Sequence, residues 1–293
     1  MKFNINQKDL QESLSYCQNV IERRSTLPIL SNVLIEAKSK KLIITATDLD
    51  MIFIHEISNV DIIEDGKTTT NSSIMHDIIR KFSTGKKINV QLISESKLQL
   101  ESEKSLFKLN CIDAQEFPVT DENIDGSEVT INSNGFLKLL NKCKFSISSD
   151  ETRHYLSGIY FHVTQNDDKK FLTAVSTDSH RMSISKMKLN ETIEFEPIIL
   201  PRKTIYQLCA LLENFSGDIK IISKKNKIKF ILKNSILTSK VIDGKFPNYV
   251  QVIPKNNKKR LQADLNLFQN RVDRVASVST DKKDGVRFNI SKD

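Results

Sequence analysis

The sequence predicts an α+β fold of repeated units, each with two helices packed on antiparallel sheets. Three observations carry this. Blocks of the chain recur at a spacing of about 126 residues. Each copy holds two apolar stripes at helical spacing. Between them run stretches that alternate apolar and polar residues, as half-buried strands do.

In the first copy, "DLQESLSYCQNVI" places Leu10, Leu14, Cys17 and Ile21 four, three and four residues apart, one stripe of an amphipathic helix. Strands follow in "LSNVLIEA" from Leu30 and in "KLIITATDLDM". A second helix reads from "SSIMHDIIRKFSTG", with its Thr-Gly as the expected C-terminal stop. The meander "KINVQLISESKLQLESEKSLFKLN" then leads to Phe117-Pro118. The second copy repeats each part. Phe136, Leu140, Cys143 and Ile147 form the stripe, "LSGIYFHV" and "FLTAVSTDSHRM" the strands, and "PRKTIYQLCALLENFSG" the second helix. The meander "DIKIISKKNKIKFILKNSILTSK" leads to Phe246-Pro247. A third copy opens with Phe268, Val272 and Val275 at the same spacing, and "DGVRFNIS" from Asp284 matches the first strand. The expected domains are 1–122, 126–250 and 254–293, the last incomplete: by the period, roughly 80 to 90 further residues are owed.

The totals fit this reading. At 293 residues the length suggests two or more domains. Hydrophobic content of 39% and charged content of 27% are those of a globular protein. The start "MKFNINQKDL" lacks the apolar core of a signal peptide, and no run of eighteen apolar residues occurs. Cys17, Cys111, Cys143 and Cys209 are scattered without a CxxC pair, which reads as a reduced, cytoplasmic chain. The five histidines show no ligand spacing, so no metal or cofactor is expected. A net charge of +8 favours polyanionic partners, nucleic acid above all, although a compositional bias toward lysine gives the same sum.

"VSTDSHRM" (175–182) sets a hydroxyl, a carboxylate, an imidazole and a guanidinium side by side, the groups of which active sites are composed. Its first-copy counterpart "TATDLDM" shares Thr-Asp and Met, which assigns those residues to a turn after a strand. His180 and Arg181 belong to the second copy alone. No GxSxG or other nucleophile motif accompanies them. Two rival readings stay open here: a hydrolase using Thr177, Asp178 and His180, and a basic scaffold that binds RNA without encircling it. On the helices, the side opposite each apolar stripe is basic in places. Lys138, Lys142 and Lys144 lie on the third helix, and Lys203, Gln207, Ala210 and Asn214 on the fourth. Arg80 and Lys81 belong to the second, and Arg271 and Arg274 to the start of the third copy.

Seven blocks in order, "MKF", "STLPILSNVLIEA", "TATDLDM", "RHYLSGIYF", "STDSHRM", "ILPRKTIYQL" and "TSKVIDGKFPNY", resemble the bacterial DNA polymerase III beta subunit, the sliding clamp. The resemblance runs along essentially the whole chain and implies the DNA-clamp fold: a head-to-tail homodimeric ring around duplex DNA, with no active site of its own. It implies a processivity factor that tethers the polymerase III catalytic subunit and other polymerases and repair proteins, loaded by a clamp loader complex. Weak, non-specific phosphate contacts suit such a ring, because topology rather than affinity prevents escape. By resemblance the DNA contacts are Arg24, Arg153, His154, Tyr155, Arg202 and Lys203, joined by Arg80, Lys138 and Lys142 from the helix faces. His154 stands where the family often has tyrosine. A pocket for partner peptides would use Leu156, Thr177, Ser179, His180, Arg181, Met182, Pro247 and Val252. Two departures touch it: Ser179 replaces a common glycine, and Gln251 a common arginine. The dimer face would use Leu106 and Phe107 with Ile78 beneath, against a second face that includes Val278. With its third unit incomplete, the chain is expected not to close a normal ring.

Overall fold

A computed structural model describes residues 1–22, 26–118, 124–189, 195–279 and 285–290. The chain divides into two compact units, Met1–Phe246 and Pro247–Asp293.

In the first unit the two copies run through the same order of elements, save that β5 of copy one has no counterpart among the described residues of copy two. Copy one comprises β1 (Lys2–Asn6), α1 (Gln7–Cys17), β2 (Asn32–Lys38), β3 (Lys41–Thr47), β4 (Met51–Ile57), β5 (Val60–Glu64), β6 (Gly66–Asn71), α2 (Ser72–Ile79), β7 (Lys87–Ser94), β8 (Lys97–Ser102) and β9 (Ser105–Ile112). Copy two comprises β10 (Ser127–Asn132), α3 (Ser133–Cys143), β11 (Gly158–Asn166), β12 (Lys169–Thr177), β13 (Met182–Lys188), β14 (Ile198–Pro201), α4 (Arg202–Glu213), β15 (Asp218–Lys224), β16 (Lys227–Ile231) and β17 (Ser235–Lys240).

The apolar stripes are where periodicity put them. Leu10, Leu14 and Cys17 are buried on α1, and Phe136, Leu140 and Cys143 on α3; Ile21 and Ile147, the last of each expected stripe, are buried too but lie beyond the helix ends. Asparagine starts two of the helices by accepting a backbone N–H: Asn71 from Ile74 at 3.0 Å and Asn132 from Gly135 at 3.1 Å. The glycines expected to stop α2 and α4 act further on. Arg80 and Asn214 are the caps, while Gly85, at φ +80°, lies in the turn that enters β7. Helices α2, α1, α4 and α3 touch in that order, so the helical layer is continuous across the two copies.

The sheets are also joined. A thirteen-stranded sheet runs β10-β15-β16-β17-β4-β3-β2-β6-β9-β8-β7-β1-β5, and a four-stranded one runs β13-β12-β11-β14. The joint between copies is the antiparallel pair β17–β4, with Leu237 opposite Phe53 and Thr238 opposite Ile52. One apolar core spans both copies, with Phe3, Phe53, Phe136 and Phe230 fully buried. No helix among the described residues is long and apolar enough to cross a membrane.

In the second unit, α5 (Leu265–Ala276) starts where Asp264 accepts the N–H of Leu267 at 2.8 Å. Its expected stripe is not covered: Phe268 and Val275 are exposed and Val272 half-buried, although Phe268 stacks on Phe288 at 5.3 Å. The strand expected from Asp284 does not form over 285–290. The described part of this unit supplies no second strand for it to pair with, and a lone strand leaves its backbone groups unpaired.

Candidate functional site

The turns at the ends of β3 and β12 have one architecture. In copy two, the Thr177 hydroxyl donates to Arg181 O at 2.8 Å and accepts the N–H of Ser179 at 3.1 Å. Asp178 Oδ1 accepts the N–H groups of His180 and Arg181, both at 3.0 Å. In copy one, Thr47 binds Met51 O at 2.9 Å and Leu49 N at 3.0 Å, and Asp48 Oδ1 accepts from Asp50 and Met51. Leu49 and Ser179 both sit at φ +76°. Thr-Asp is thus the scaffold of the turn. Met is not: the bonds equate Met51 with Arg181, and Met182 with Ile52, each of the latter pair opposite the turn threonine in the sheet. Met51 is buried, whereas Arg181 is exposed.

The same bonds occupy Thr177 and Asp178, two of the three side chains that a hydrolase would need. Asp178 also accepts Arg181 Nε at 2.9 Å. Burial raises its pKa, but the N–H donors and the guanidinium outweigh this and hold the carboxyl below its ordinary value. The Arg181 guanidinium lies 5.5 Å from the ring of exposed Phe145. Arg153 reaches the turn from the segment Glu151–Leu156, donating to Ser179 Oγ at 2.6 Å and to Asp150 at 2.8 Å. That joins Arg153 to the turn at Ser179, with Leu156 buried at the end of the same segment. His154 faces Asp243 O at 3.2 Å and packs edge-on to Tyr155. Pro247 and Val252 belong to the second unit, where both are exposed.

On the helical layer, Lys138 and Lys142 are exposed on α3. Tyr206, which the sequence reading passed over, is exposed on α4 between two cations: Arg202 lies 5.5 Å and Lys144 5.9 Å from its ring centre. An aromatic four residues beyond an arginine at a helix start was the available signal. Gln207, assigned to the polar face, is instead fully buried and donates to Tyr16 O at 3.0 Å, because α1 packs over that side of α4. Lys203 is engaged as well. Its ammonium donates to Val20 O at 2.8 Å and pairs with Asp48 at 2.5 Å, tying copy two to copy one. Arg80 is exposed and paired with Asp77 at 3.1 Å. Arg24 lies outside the described residues.

A second surface gathers at β9. Residues Ser105 to Asn110 pair with β8 on one side only, since β6 takes β9 just at Cys111 and Ile112. Ile78, Phe82 and Phe107 line a cavity of about 350 Å³ beside this edge, with Phe82 and Phe107 5.7 Å apart. Leu106 is 52% exposed. Val278 is 82% exposed in the second unit.

The four cysteines are free, and burial pushes the Cys143 thiol up to about 11. No cluster of three His, Cys, Asp or Glu side chains among the described residues is placed to hold a metal.

Residues 1–121 match the family model of the DNA polymerase III beta subunit N-terminal domain, and residues 130–248 that of its central domain. The beta sliding clamp of Caulobacter vibrioides is 36% identical over 99% of this chain and 78% of its own length. That of Escherichia coli K12 is 32% identical over 100% and 78%. Among solved structures, the Caulobacter crescentus clamp superposes with a TM-score of 0.90 at 36% identity, covering 96% of this chain and 75% of that one. The Bartonella birtlesii clamp, solved bound to griselimycin, gives 0.90 at 34%, covering 96% and 76%. The chain belongs to the beta sliding clamp family, the non-catalytic processivity subunits of DNA polymerase III.

Proposed function

We propose that this clamp holds duplex DNA by its phosphates, without reading sequence, on the exposed side of α3 and the start of α4. The observation that carries this is Arg202 and Lys144 flanking the Tyr206 ring, with Lys138 and Lys142 exposed on α3, where α3 and α4 hold a single acid, Glu213. Arg153, His154 and Tyr155 extend the surface toward the turn of copy two, and Arg80 adds to it from copy one with part of its charge offset by Asp77. Lys203 contributes to the joint rather than to this surface, its ammonium being already bonded twice. Such contacts confine a duplex while leaving it free to slide.

Partner peptides dock on the turn Thr177–Met182 beside Leu156. Apolar anchors there and a rim of His180 and Arg181 suit a short segment of the polymerase catalytic subunit, the clamp loader complex or other polymerases and repair proteins. The open edge of β9, with Ile78, Leu106 and Phe107, pairs with a second copy at a face that includes Val278, within a cytoplasmic homodimer. The domains are 1–122, 126–250 and 254–293.

Fluorescence anisotropy with a labelled linear duplex at 50 to 200 mM salt tests the DNA surface. Lys138→Gln with Lys142→Gln should weaken binding alike for unrelated sequences. It should also make the log–log salt slope shallower by about two units, as loss of two phosphate contacts requires. An unchanged slope would remove these residues from the interface.

A further inference from the structure

The thirteen-stranded sheet carries a row of like charges in the meander of copy two. Lys224 of β15 lies directly opposite Lys227 of β16, and Lys227 directly opposite Lys240 of β17. Neighbouring strands are about 4.8 Å apart, so the three backbone positions span about 10 Å. Lys225 and Asn226 close the hairpin between the first two. Lys224, Lys225 and Lys240 are exposed and Lys227 is half-buried. Like charges at directly opposed positions destabilise a sheet. Lys240 is relieved by Asp50 at 2.8 Å, but among the described residues no carboxylate pairs with Lys224, Lys225 or Lys227.

The row is neither edge protection nor general lysine excess. Lysines guard the open edges of sheets, whereas β15, β16 and β17 are each paired on both sides. A uniform excess would fill the same positions in both copies. The matching row of copy one is Ser94, Lys97 and Asn110, where the one cation donates to the Asn110 side-chain oxygen at 2.6 Å. Its hairpin reads Ser94-Glu95-Ser96-Lys97 against Lys224-Lys225-Asn226-Lys227. The row also turns away from the helices. Ile228 and Phe230 are buried, Phe230 against Phe136 of α3, and Ser239 bonds Thr204 of α4 at 2.7 Å. Side chains alternate along a strand, so Lys227 and Lys240 occupy the opposite face.

We infer that this row is an exterior phosphate-binding surface, which holds nucleic-acid backbone apart from the helix-lined side. A duplex presents one phosphate per about 3.4 Å of axis on each strand, so about three phosphates match the length of the row. Lysine is a compact point charge that takes phosphate oxygens without fixing their orientation, and the contact is indifferent to sequence. The surface is separate from the exposed side of α3 and α4 and does not rest on the reading given to it.

Lysine acetylation footprinting, read by mass spectrometry on the whole chain with and without a linear duplex, tests this. Lys224, Lys225 and Lys227 should be protected, while Lys97 at the counterpart position labels as in the free chain. With three phosphate contacts, the duplex concentration for half-protection should rise about fortyfold between 50 and 200 mM salt. In Lys225→Gln, which removes one contact, the rise at Lys224 and Lys227 should be about twelvefold. Protection should persist in Lys138→Gln with Lys142→Gln, which separates this surface from the helix face. Labelling of Lys224, Lys225 and Lys227 that duplex leaves unchanged would overturn the proposal, whether or not Lys138 and Lys142 are protected. So would protection that is lost in the Lys138 and Lys142 variant, or equal protection by polyglutamate, which would make the partner an acidic protein.

Discussion

At the scale of single residues, the two turns explain why a chemically suggestive string performs no chemistry. Asp178 is spent on two backbone N–H groups and a guanidinium, and Asp48 does the same work with a lysine in place of the arginine. Asp178→Ala should therefore reduce the unfolding free energy by on the order of 1–3 kcal/mol in urea titrations, since it strands donors at a strand end. The sequence made this legible because Thr-Asp recurs, whereas the slip that sets Met51 opposite Arg181 required the bonds themselves. His55 makes a second case. Burial lowers its pKa, although Glu12 and Glu56 act the other way. It stacks by Phe53, lies near Tyr16 and shares a 2.8 Å bond with Ser235. A histidine held below its unfolded value of about 6.5 contributes stability that is complete above that pH and lost as pH falls from it through the lower folded value. Thermal melts at pH 7.5 and 5.5 should show a smaller drop in Tm for His55→Gln than for the unchanged chain.

Elements were legible where their signal is local. The four-three-four stripes found α1 and α3 because burial of a helix face repeats with the helical turn, and the alternating meanders found β7–β9 and β15–β17. Packing between copies has no such period. Gln207 was misplaced because its burial depends on α1, nearly two hundred residues away in sequence, and the bonds of Lys203 to Val20 and Asp48 are equally distant. The second copy is therefore coupled to the first through β17, α4 and this lysine. Thr238 sits in the middle of β17 with β16 on one side and β4 on the other. Thr238→Pro should lower stability more than any surface change, because it removes a ladder bond from a central strand, where proline is not accommodated. Lys203→Ala, partly exposed, should cost about 1 kcal/mol. It should leave duplex affinity closer to wild type than the change at Lys138 and Lys142 does, and denaturation paired with anisotropy on the same preparations separates these effects.

For the whole molecule, the joint between copies shows what the free edges are shaped to accept. Strand β17 ends the meander of copy two and pairs with β4 of copy one; its counterpart β9 ends the meander of copy one with Ser105 to Asn110 open on one side. Strand β13, the counterpart of β4, is likewise paired only with β12 among the described residues. Repetition of one joint thus leaves one edge of each kind among the described residues, β9 in copy one and β13 in copy two. A single sequence shows that the units repeat but carries no local mark of which strand of one meets which of the next, so this joint became visible only in three dimensions. Hydrogen exchange should reflect the difference directly. Amides of 235–240 lie between two strands and should exchange far more slowly than those of 105–110, which lie beside one. Raising the protein concentration should slow exchange in 105–110 selectively, and Leu106→Asp should cancel that change. If 105–110 exchanges at the same rate across a hundredfold range of concentration at which light scattering records association, then β9 is not the edge by which copies of this clamp meet.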